Sequence, residues 1–325
     1  MSRLWKEGGG FDDGSGHIDL PRAAAGGLAA GCFAVFTCGP PDHDADYFFR
    51  VDQRRALREA LAQVALLLRL ERAGGVRVVR SAADIAGDTD PTSSGSTGRL
   101  NAILHLEGAE PIGSSLDELE VFVAAGMRSL GLVWSRPNAY ATGVPFEAPG
   151  SPDQGPGLTD LGRALIRACN SLGVVVDVSH LNARGFWDVA ALSEAPLVAS
   201  HCGAHALSPS PRNLTDDQLR AIGESGGIVG INFHVGFLRA DCEDDPDTPV
   251  ALIAEHAAHA AEVAGVGAVG LGSDFDGATM PAELGDVAGL PRVLSALRDA
   301  GFSEDDVDAI AWDNWVRVLR ETWKT

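Results

Sequence analysis

The 325-residue sequence is poor in positive charge: 25 lysines and arginines stand against 45 aspartates and glutamates, which gives a formal net charge of −20. Proteins bind nucleic acids and anionic membrane surfaces through basic faces. The charge balance therefore argues against both as partners. It does not constrain a small-molecule substrate, because a local site can oppose the overall field.

Long apolar runs are also missing. No stretch reaches the roughly 18 apolar residues that a membrane-spanning helix needs. The first residues, MSRLWKEGGGFDDGSG, do not read as a signal peptide, and the final RETWKT lacks the hydrophobic tail of a lipid-anchor signal. No membrane partner is expected.

Cysteine is scarce, and no two cysteines form a CxxC pair, which argues against a zinc ribbon or a redox dithiol. An odd, scattered set is typical of reduced thiols, so we expect a cytoplasmic protein. The cysteines are Cys32, Cys38, Cys169, Cys202 and Cys242.

What the chain does contain is an alternation of short apolar runs with amphipathic segments. Apolar residues make up 45% and charged residues 22%, which allows a large buried core. The expected strands are HIDL, CFAVFT, NAILHLE, SLGLVW, GVVVDVSH, PLVASH, GGIVGINF and AVGLGSDFD. The expected helices are 52–74, 115–126, 159–172, 182–193, 215–225, 249–264, 285–300 and 303–323, with Thr159, Thr215 and Ser303 at N-cap positions.

About eight such units predict an α/β fold, a single-domain (β/α)8 TIM-like barrel over residues 1–325, with 1–13 as a peripheral segment. The absence of GxGxxG after the first strand weakens the alternative of an open dinucleotide-binding sheet. Residues 87–98 and 240–249 are the expected exposed loops.

Side chains that bind metals occur repeatedly at the carboxyl ends of these strands, where barrel enzymes build their sites. An imidazole and carboxylate set suits zinc, and five ligands exceed the needs of one tetrahedral ion. They fit two metal ions that share a carboxylate, and Glu107 is the candidate bridge. Such paired ions lie about 3.5–4 Å apart with a hydroxide between them. The five candidate ligands are His17, Asp19, Glu107, His180 and His201, and the acids Asp274 and Asp276 lie at the end of the last of the strands.

Five ordered motifs resemble the membrane (renal) dipeptidase family of zinc metallopeptidases, part of the amidohydrolase superfamily. They are GHIDLP, LEGAEPIG, VDVSH, SHCGA followed by PRNLTDD, and GLGSDFDG. The likeness extends from about Gly14 to the final helix and includes MRSLGL and DNWVRVL.

The resemblance implies a role for each matching residue. His17 and Asp19 would bind one zinc ion, His180 and His201 the other, and Glu107 both. Asp274 would be the general acid and base beside the bridging hydroxide, and Arg212 would bind the substrate's terminal carboxylate. Asp276 competes with Asp274, but the glycine after it indicates a turn, so Asp276 is expected to be structural.

The chain departs from the family pattern at Trp134, which stands where the family carries a histidine near the substrate carbonyl. An indole offers one neutral N–H donor and no proton exchange. We expect altered substrate preference with hydrolysis retained. Arg136 is expected at the surface, His105 in the barrel interior, and His256 and His259 on a solvated helix face.

The expected function is therefore hydrolysis of L-Xaa-L-Xaa or L-Xaa-D-Xaa dipeptides by a two-zinc enzyme. The alternative enzyme would cleave N-acyl amino acids or lactam rings with the same metals. A non-catalytic metal-binding protein is a further alternative. A homodimer is expected only by analogy with the family.

Overall fold

The computed structural model describes residues 1–8, 11–38, 51–86 and 99–324. Within these ranges the chain forms eight β-strands and thirteen α-helices. The strands are β1 (Ala30–Phe36), β2 (Val76–Val78), β3 (Leu100–Glu107), β4 (Met127–Gly131), β5 (Val175–Asp177), β6 (Val198–Cys202), β7 (Ile228–Ile231) and β8 (Val269–Leu271). The helices are α1 (Ser2–Glu7), α2 (Leu20–Gly26), α3 (Gln53–Arg72), α4 (Ala82–Ala86), α5 (Asp117–Ala124), α6 (Asp160–Leu172), α7 (Ala183–Leu192), α8 (Asp216–Glu224), α9 (Val235–Leu238), α10 (Ala251–Ala264), α11 (Leu290–Asp299), α12 (Glu304–Asp308) and α13 (Asn314–Thr322).

All strand pairs are parallel, and the main path runs β1-β3-β4-β5-β6-β7-β8. The short β2 pairs with the first residues of β3. The sheet curls into the TIM-barrel-like α/β fold predicted from the sequence, with helices between the strands. Every residue of β3 except the last, Glu107, is buried, as expected for a strand covered on both faces.

The join between β8 and β1 is built from loops, since no ladder connects these two strands in the described ranges. The backbone N–H of Val287 donates to the carbonyl of His17 at 3.1 Å, and Arg22 pairs with Asp286 at 2.9 Å. A Cβ at Gly26 would lie 1.9 Å from the carbonyl oxygen of Val287. Helix α2 therefore packs directly against the segment after β8.

The prediction that HIDL forms a strand is wrong. His17 and Asp19 lie in the loop that leads into α2, and Asp19 is the N-cap of that helix. Pro21 occupies the first turn, where its missing N–H is no loss, whereas it could not donate to a sheet ladder. The strand that the sequence reading missed is β2.

The helix predictions are confirmed to within a few residues. The hydroxyls of Thr159, Thr215 and Ser303 accept backbone N–H bonds at the starts of α6, α8 and α12. The last expected helix is interrupted by a π-helical segment at Ala309–Asp313, between α12 and α13. Helices α1, α2, α4 and α9 were not predicted. The expected loop at 240–249 is irregular, and the one at 87–98 lies outside the described residues.

One large hydrophobic cluster fills the space between the sheet and the helices. Leu4 and Phe11, from the segment expected to be peripheral, are both only 7% exposed and belong to this cluster. Among the described residues, no helix has both the length and the apolar character that crossing a bilayer requires.

Candidate metal centre and active site

Three side chains from three strand ends converge at the carboxyl edge of the sheet. Glu107 ends β3, His180 follows β5, and His201 lies in β6. His180 Nε2 lies 3.0 Å from His201 Nε2 and 3.1 Å from Glu107 Oε1, and His201 Nε2 lies 3.7 Å from that oxygen. Within the part of the chain that the structure describes, this is the one group spaced to hold a metal ion. Two imidazole nitrogens and a carboxylate oxygen fit a zinc-type cation.

A serine hydroxyl contacts the second nitrogen of each imidazole. Ser135 Oγ lies 2.8 Å from His180 Nδ1, and Ser200 Oγ lies 2.7 Å from His201 Nδ1. A hydrogen bond at Nδ1 fixes the ring and leaves Nε2 for a metal. Burial, together with the charges of Arg212 and His201, lowers the pKa of His180 well below its usual value. The ring is therefore neutral at pH 7, the form that binds a cation.

Asp177, at the end of β5, supports this arrangement from behind. Its Oδ1 accepts backbone N–H bonds from Ser200 at 2.9 Å and Ser179 at 3.0 Å, and its Oδ2 accepts the Ser200 hydroxyl. Burial alone would raise the pKa of Asp177, but the imidazoles of His105 and His201 and the bonds from Ser200 lower it. His105 is 3% exposed in the barrel interior, as predicted. An ionised carboxylate thus holds the hydroxyl that orients His201.

His17 and Asp19 belong to a separate hydrogen-bond network. The backbone N–H of Asp276 donates to His17 Nδ1 at 3.0 Å, and that of His17 donates to Asp276 Oδ1 at 2.6 Å. Asp19 accepts bonds from the Arg22 backbone N–H at 2.8 Å and its Nε at 2.9 Å. These reciprocal bonds give Asp276 the structural role expected for it. That His17 and Asp19 are metal ligands stays a prediction.

Asp274 lies in the turn after β8, close enough to His180 for its charge to act on that ring. The side-chain amide of Asn232 donates to Asp274 Oδ2 at 3.1 Å. The backbone of Asp274 is left-handed, with φ +59°. A Cβ at Gly277 would lie 2.4 Å from Asp274 Oδ1. A side chain at position 277 would therefore displace the Asp274 carboxylate from this position.

Arg212 is 2% exposed, yet its guanidinium has few partners. Its Nη2 donates to the carbonyl of His201 at 3.3 Å, and its Nη1 lies 3.8 Å from Cys202 Sγ. Among the described residues, Nε has no hydrogen-bond partner. Leaving a buried charged donor unpaired is costly. A bound anion beside His201 would relieve this cost.

Trp134 also lies at the site, with its ring centroid 5.9 Å from that of His180. The prediction that Arg136 is a surface residue is wrong, because it is 1% exposed. Its Nε donates to Glu110 Oε1 at 2.8 Å and its Nη2 to the carbonyl of Thr37 at 2.7 Å. A buried arginine needs such partners, and they come from distant parts of the chain.

The solvated position expected for His256 is wrong as well. This residue of α10 is 1% exposed, its Nδ1 accepts the backbone N–H of Ala204 at 2.9 Å, and its Nε2 lies 3.0 Å from the carbonyl of Leu238. It therefore ties the loop after His201 to the end of α9. His259 is partly exposed and pairs with Asp216 at 2.8 Å.

Comparison with known proteins agrees with this geometry. The family model described as membrane dipeptidase (peptidase family M19) matches residues 5–325. The chain belongs to this family.

Solved structures of membrane dipeptidase relatives superpose over nearly the whole chain. A metallopeptidase from Rhodobacter sphaeroides, liganded with a phosphinate mimic of the dipeptide L-Ala-D-Ala, has 43% identity and a TM-score of 0.90, covering 99% of this chain and 93% of that one. The dipeptidase AC, of family M19, has 42% identity and a TM-score of 0.88, covering 100% and 93%. A Klebsiella pneumoniae protein in the pqqA 5′ region is 47% identical over 264 residues, 81% of this chain and 95% of that protein.

As a member of the membrane dipeptidase family the protein is a metallopeptidase, a hydrolase of the dipeptidase type that uses a metal cofactor. Its substrates are thus small peptides. The residues that converge were predicted from the sequence, but the residues that hold them were not. Of these, only Asp177 carried a signal, as an acid within the apolar run GVVVDV. Ser135 and Ser200 carried none.

Proposed function

We propose that this protein is a two-zinc dipeptidase that hydrolyses L-Xaa-L-Xaa or L-Xaa-D-Xaa dipeptides. The observation that carries the proposal is the convergence of Glu107, His180 and His201, with both imidazoles held at Nδ1 by serines. The R. sphaeroides relative bound to a dipeptide mimic supports a dipeptide as the substrate.

In this proposal, His180 and His201 would hold one zinc ion, His17 and Asp19 would hold the other, and Glu107 would be a ligand of both. When bound, the ions would lower the pKa of a water towards 7 and polarise the scissile carbonyl. The His17 ring already lies beside the Asp274–Asp276 turn, through its bonds to Asp276. The proposed ligand His17 would thus lie at the same edge of the barrel as Asp274.

Asp274 is the proposed general acid and base. Its carboxylate would take the proton of the attacking water and deliver it to the leaving amine. The bond from Asn232 fixes the orientation of this carboxylate during both transfers. Arg212 would bind the terminal carboxylate of the substrate through parallel N–H bonds that a lysine cannot reproduce. Its Nε, which has no hydrogen-bond partner among the described residues, is a donor available for this contact.

The experiment is metal analysis of the zinc-loaded full chain beside an activity panel. The panel pairs L,L and L,D dipeptides of the same composition with N-acyl amino acids and lactams. We expect two zinc ions per chain and the highest kcat/KM on dipeptides. Faster turnover of the N-acyl amino acids or lactams would replace the proposal with the alternative amidohydrolase activity. Normal metal content without hydrolysis of any substrate would favour a binding protein.

The Asp274→Asn variant separates chemistry from metal binding. We expect kcat to fall by about 10²- to 10⁴-fold, the usual contribution of a general acid–base, while the zinc content stays that of the parent. The control is Glu283→Gln, which replaces a carboxylate that accepts the Val250 backbone N–H near the start of α10. This variant should retain parental kcat. A variant with Asn at position 274 that turns over normally would contradict the assignment.

The proposal covers the whole chain, residues 1–325, as one hydrolase domain. All five cysteines lie in the described ranges and are free thiols, which supports a cytoplasmic setting. A homodimer is part of the proposal by family analogy, and sedimentation analysis tests it.

A further inference from the structure

Four aromatic rings form a continuous row along the candidate active site. The row consists of Phe36, Trp134, Phe146 and Phe237. Ring centroids are 5.2 Å apart from Phe36 to Trp134, 5.2 Å from Trp134 to Phe146, and 6.1 Å from Phe146 to Phe237. Trp134 and Phe146 also flank His180, at 5.9 and 6.4 Å. The aromatic row therefore lies directly beside His180, one of the three converging side chains.

The aromatic row is partly open to solvent. Phe237 is only 7% exposed, whereas Phe146 is 38% exposed. Among the described residues, few large apolar side chains are exposed to this extent. An exposed apolar surface beside a set of polar catalytic groups is typical of a ligand-binding site. Covering Phe146 with an apolar group would remove its exposed surface from water.

An arginine lies at each end of the aromatic row. The Cζ atom of Arg136 lies 5.3 Å from the centroid of Phe36 and 5.5 Å from that of Trp134. The Cζ atom of Arg212 lies 5.3 Å from the centroid of Phe237. Arg136 is already paired with Glu110, so Arg212 and the metal ions proposed nearby are the charges that would repel a cationic substrate side chain. Ring faces carry partial negative charge and disfavour an anionic one. A neutral apolar side chain is the remaining fit.

Arg212 also decides which substrate residue meets the aromatic row. If it binds the terminal carboxylate, the Cα atom of that residue is one bond from the carboxylate carbon. The side chain on this Cα then lies within reach of Phe237, which stacks on Arg212, and of Phe146 beside it. The residue on the other side of the scissile bond would lie farther from Arg212.

We propose that the aromatic row, Phe36, Trp134, Phe146 and Phe237, selects a bulky apolar side chain on the residue that carries the free carboxylate. This inference rests on the proposed dipeptidase function, and it names the substrate class: dipeptides that end in residues such as phenylalanine or leucine.

The test compares Ala-Phe, Ala-Leu, Ala-Gly and Ala-Asp, each with the second residue in both configurations, on the zinc-loaded full chain. We expect kcat/KM for Ala-Phe or Ala-Leu to exceed that for Ala-Gly and Ala-Asp by at least about tenfold in one configuration. Phe146→Ala should reduce this preference about tenfold, mainly through KM. Trp187→Ala removes another exposed aromatic residue, on α7 and 45% exposed, and should leave the preference unchanged.

Calorimetry with the free amino acids phenylalanine and glycine supplies a readout that needs no catalysis. We expect phenylalanine to bind at least about tenfold more tightly than glycine, and Phe146→Ala to abolish the difference. Selective phenylalanine binding without cleavage of any dipeptide would support the aromatic row and overturn the proposed function. Cleavage without preference would overturn the proposed role of the aromatic row. An equal loss of kcat/KM on all dipeptides in Phe146→Ala would overturn it as well. If the protein neither cleaves any dipeptide nor binds phenylalanine selectively, both the aromatic row and the proposed function are overturned.

Discussion

His180, Asp274 and Asp276 share an uncommon backbone conformation. Their φ angles are +68°, +59° and +64°, in the left-handed region that non-glycine residues rarely adopt. Such conformations cost about 1–3 kcal/mol each and persist where the surrounding structure enforces them. Here the enforcing contacts are side-chain bonds to Ser135, Asn232 and His17. The strain lies where the candidate site needs its side chains.

The serine behind His201 should matter for metal binding. Ser200→Ala removes the hydroxyl that orients this imidazole, so we expect zinc affinity to fall about 10- to 100-fold, the usual effect of losing such a partner. Competition with a chromogenic chelator measures it. Ser193→Ala, which removes a hydroxyl bonded to Ala195 in its own loop, is the control. Equal affinities of the Ser200 variant and the parent would show that the hydroxyl does not support the ligand.

His256 should make the folded state sensitive to acid. Burial lowers its pKa to about 4, whereas an unfolded histidine titrates near 6.5. Above about pH 6.5 both states are neutral, so the residue contributes no pH dependence. As the pH falls from about 6.5 to about 4, the unfolded state binds the proton first, and up to about 3 kcal/mol of stability is lost.

His256→Gln tests this, because an amide can still accept from Ala204 and donate to Leu238 without titrating. Urea unfolding at pH 7, 6, 5 and 4.5 should show a shallower loss of stability in the variant than in the parent. Parallel curves would assign the acid sensitivity to other groups.

At the scale of elements, local chemistry explains why every predicted helix is present, whereas one predicted strand, HIDL, is not. Helix starts carry their own signals, such as the capping box at Thr215 and Gln218, which needs no distant partner. The short β2 has only three residues and exists because β3 lies beside it. HIDL has the pattern of a strand but contains the cap and proline that begin α2. A helix cap can be recognised from neighbouring residues, whereas the pairing partner of a strand cannot.

The cap of α8 offers a prediction for a whole helix. Thr215→Ala removes the hydroxyl that accepts the Gln218 N–H, and we expect a loss of about 1 kcal/mol in the free energy of unfolding. Denaturant unfolding measures the change. Thr215→Ser keeps the hydroxyl and should stay within a few tenths of the parent; a similar loss in both variants would point to the methyl group instead.

For the molecule as a whole, the sequence identified the barrel and the converging residues, because strand ends in a parallel barrel meet at one edge. It could not place Arg136 inside, since that depends on Glu110 and on the carbonyl of Thr37, 99 positions away. It could not single out Ser135 or Ser200 either, because serine is common at exposed positions. Residues that bind are recognisable by type, whereas residues that support them depend on the assembled fold.

Metal should stabilise the whole fold. A ligand at 100 times its dissociation constant adds about 2.7 kcal/mol to the folded state. Removing zinc with a chelator should therefore lower Tm by a few degrees, and re-adding zinc should restore it. The chelator already saturated with zinc is the control. An unchanged Tm after verified metal removal would mean that the ions contribute nothing to folding.

The bonds between His17 and Asp276 join residues 259 positions apart, and they have a consequence for biosynthesis. His17 is synthesised first, and Asp276, which holds it, is added only 259 residues later. A nascent chain that stops before Asp276 therefore lacks both of these bonds. The segment around His17 should become ordered, and the site competent for catalysis, only after Asp276 has left the ribosome.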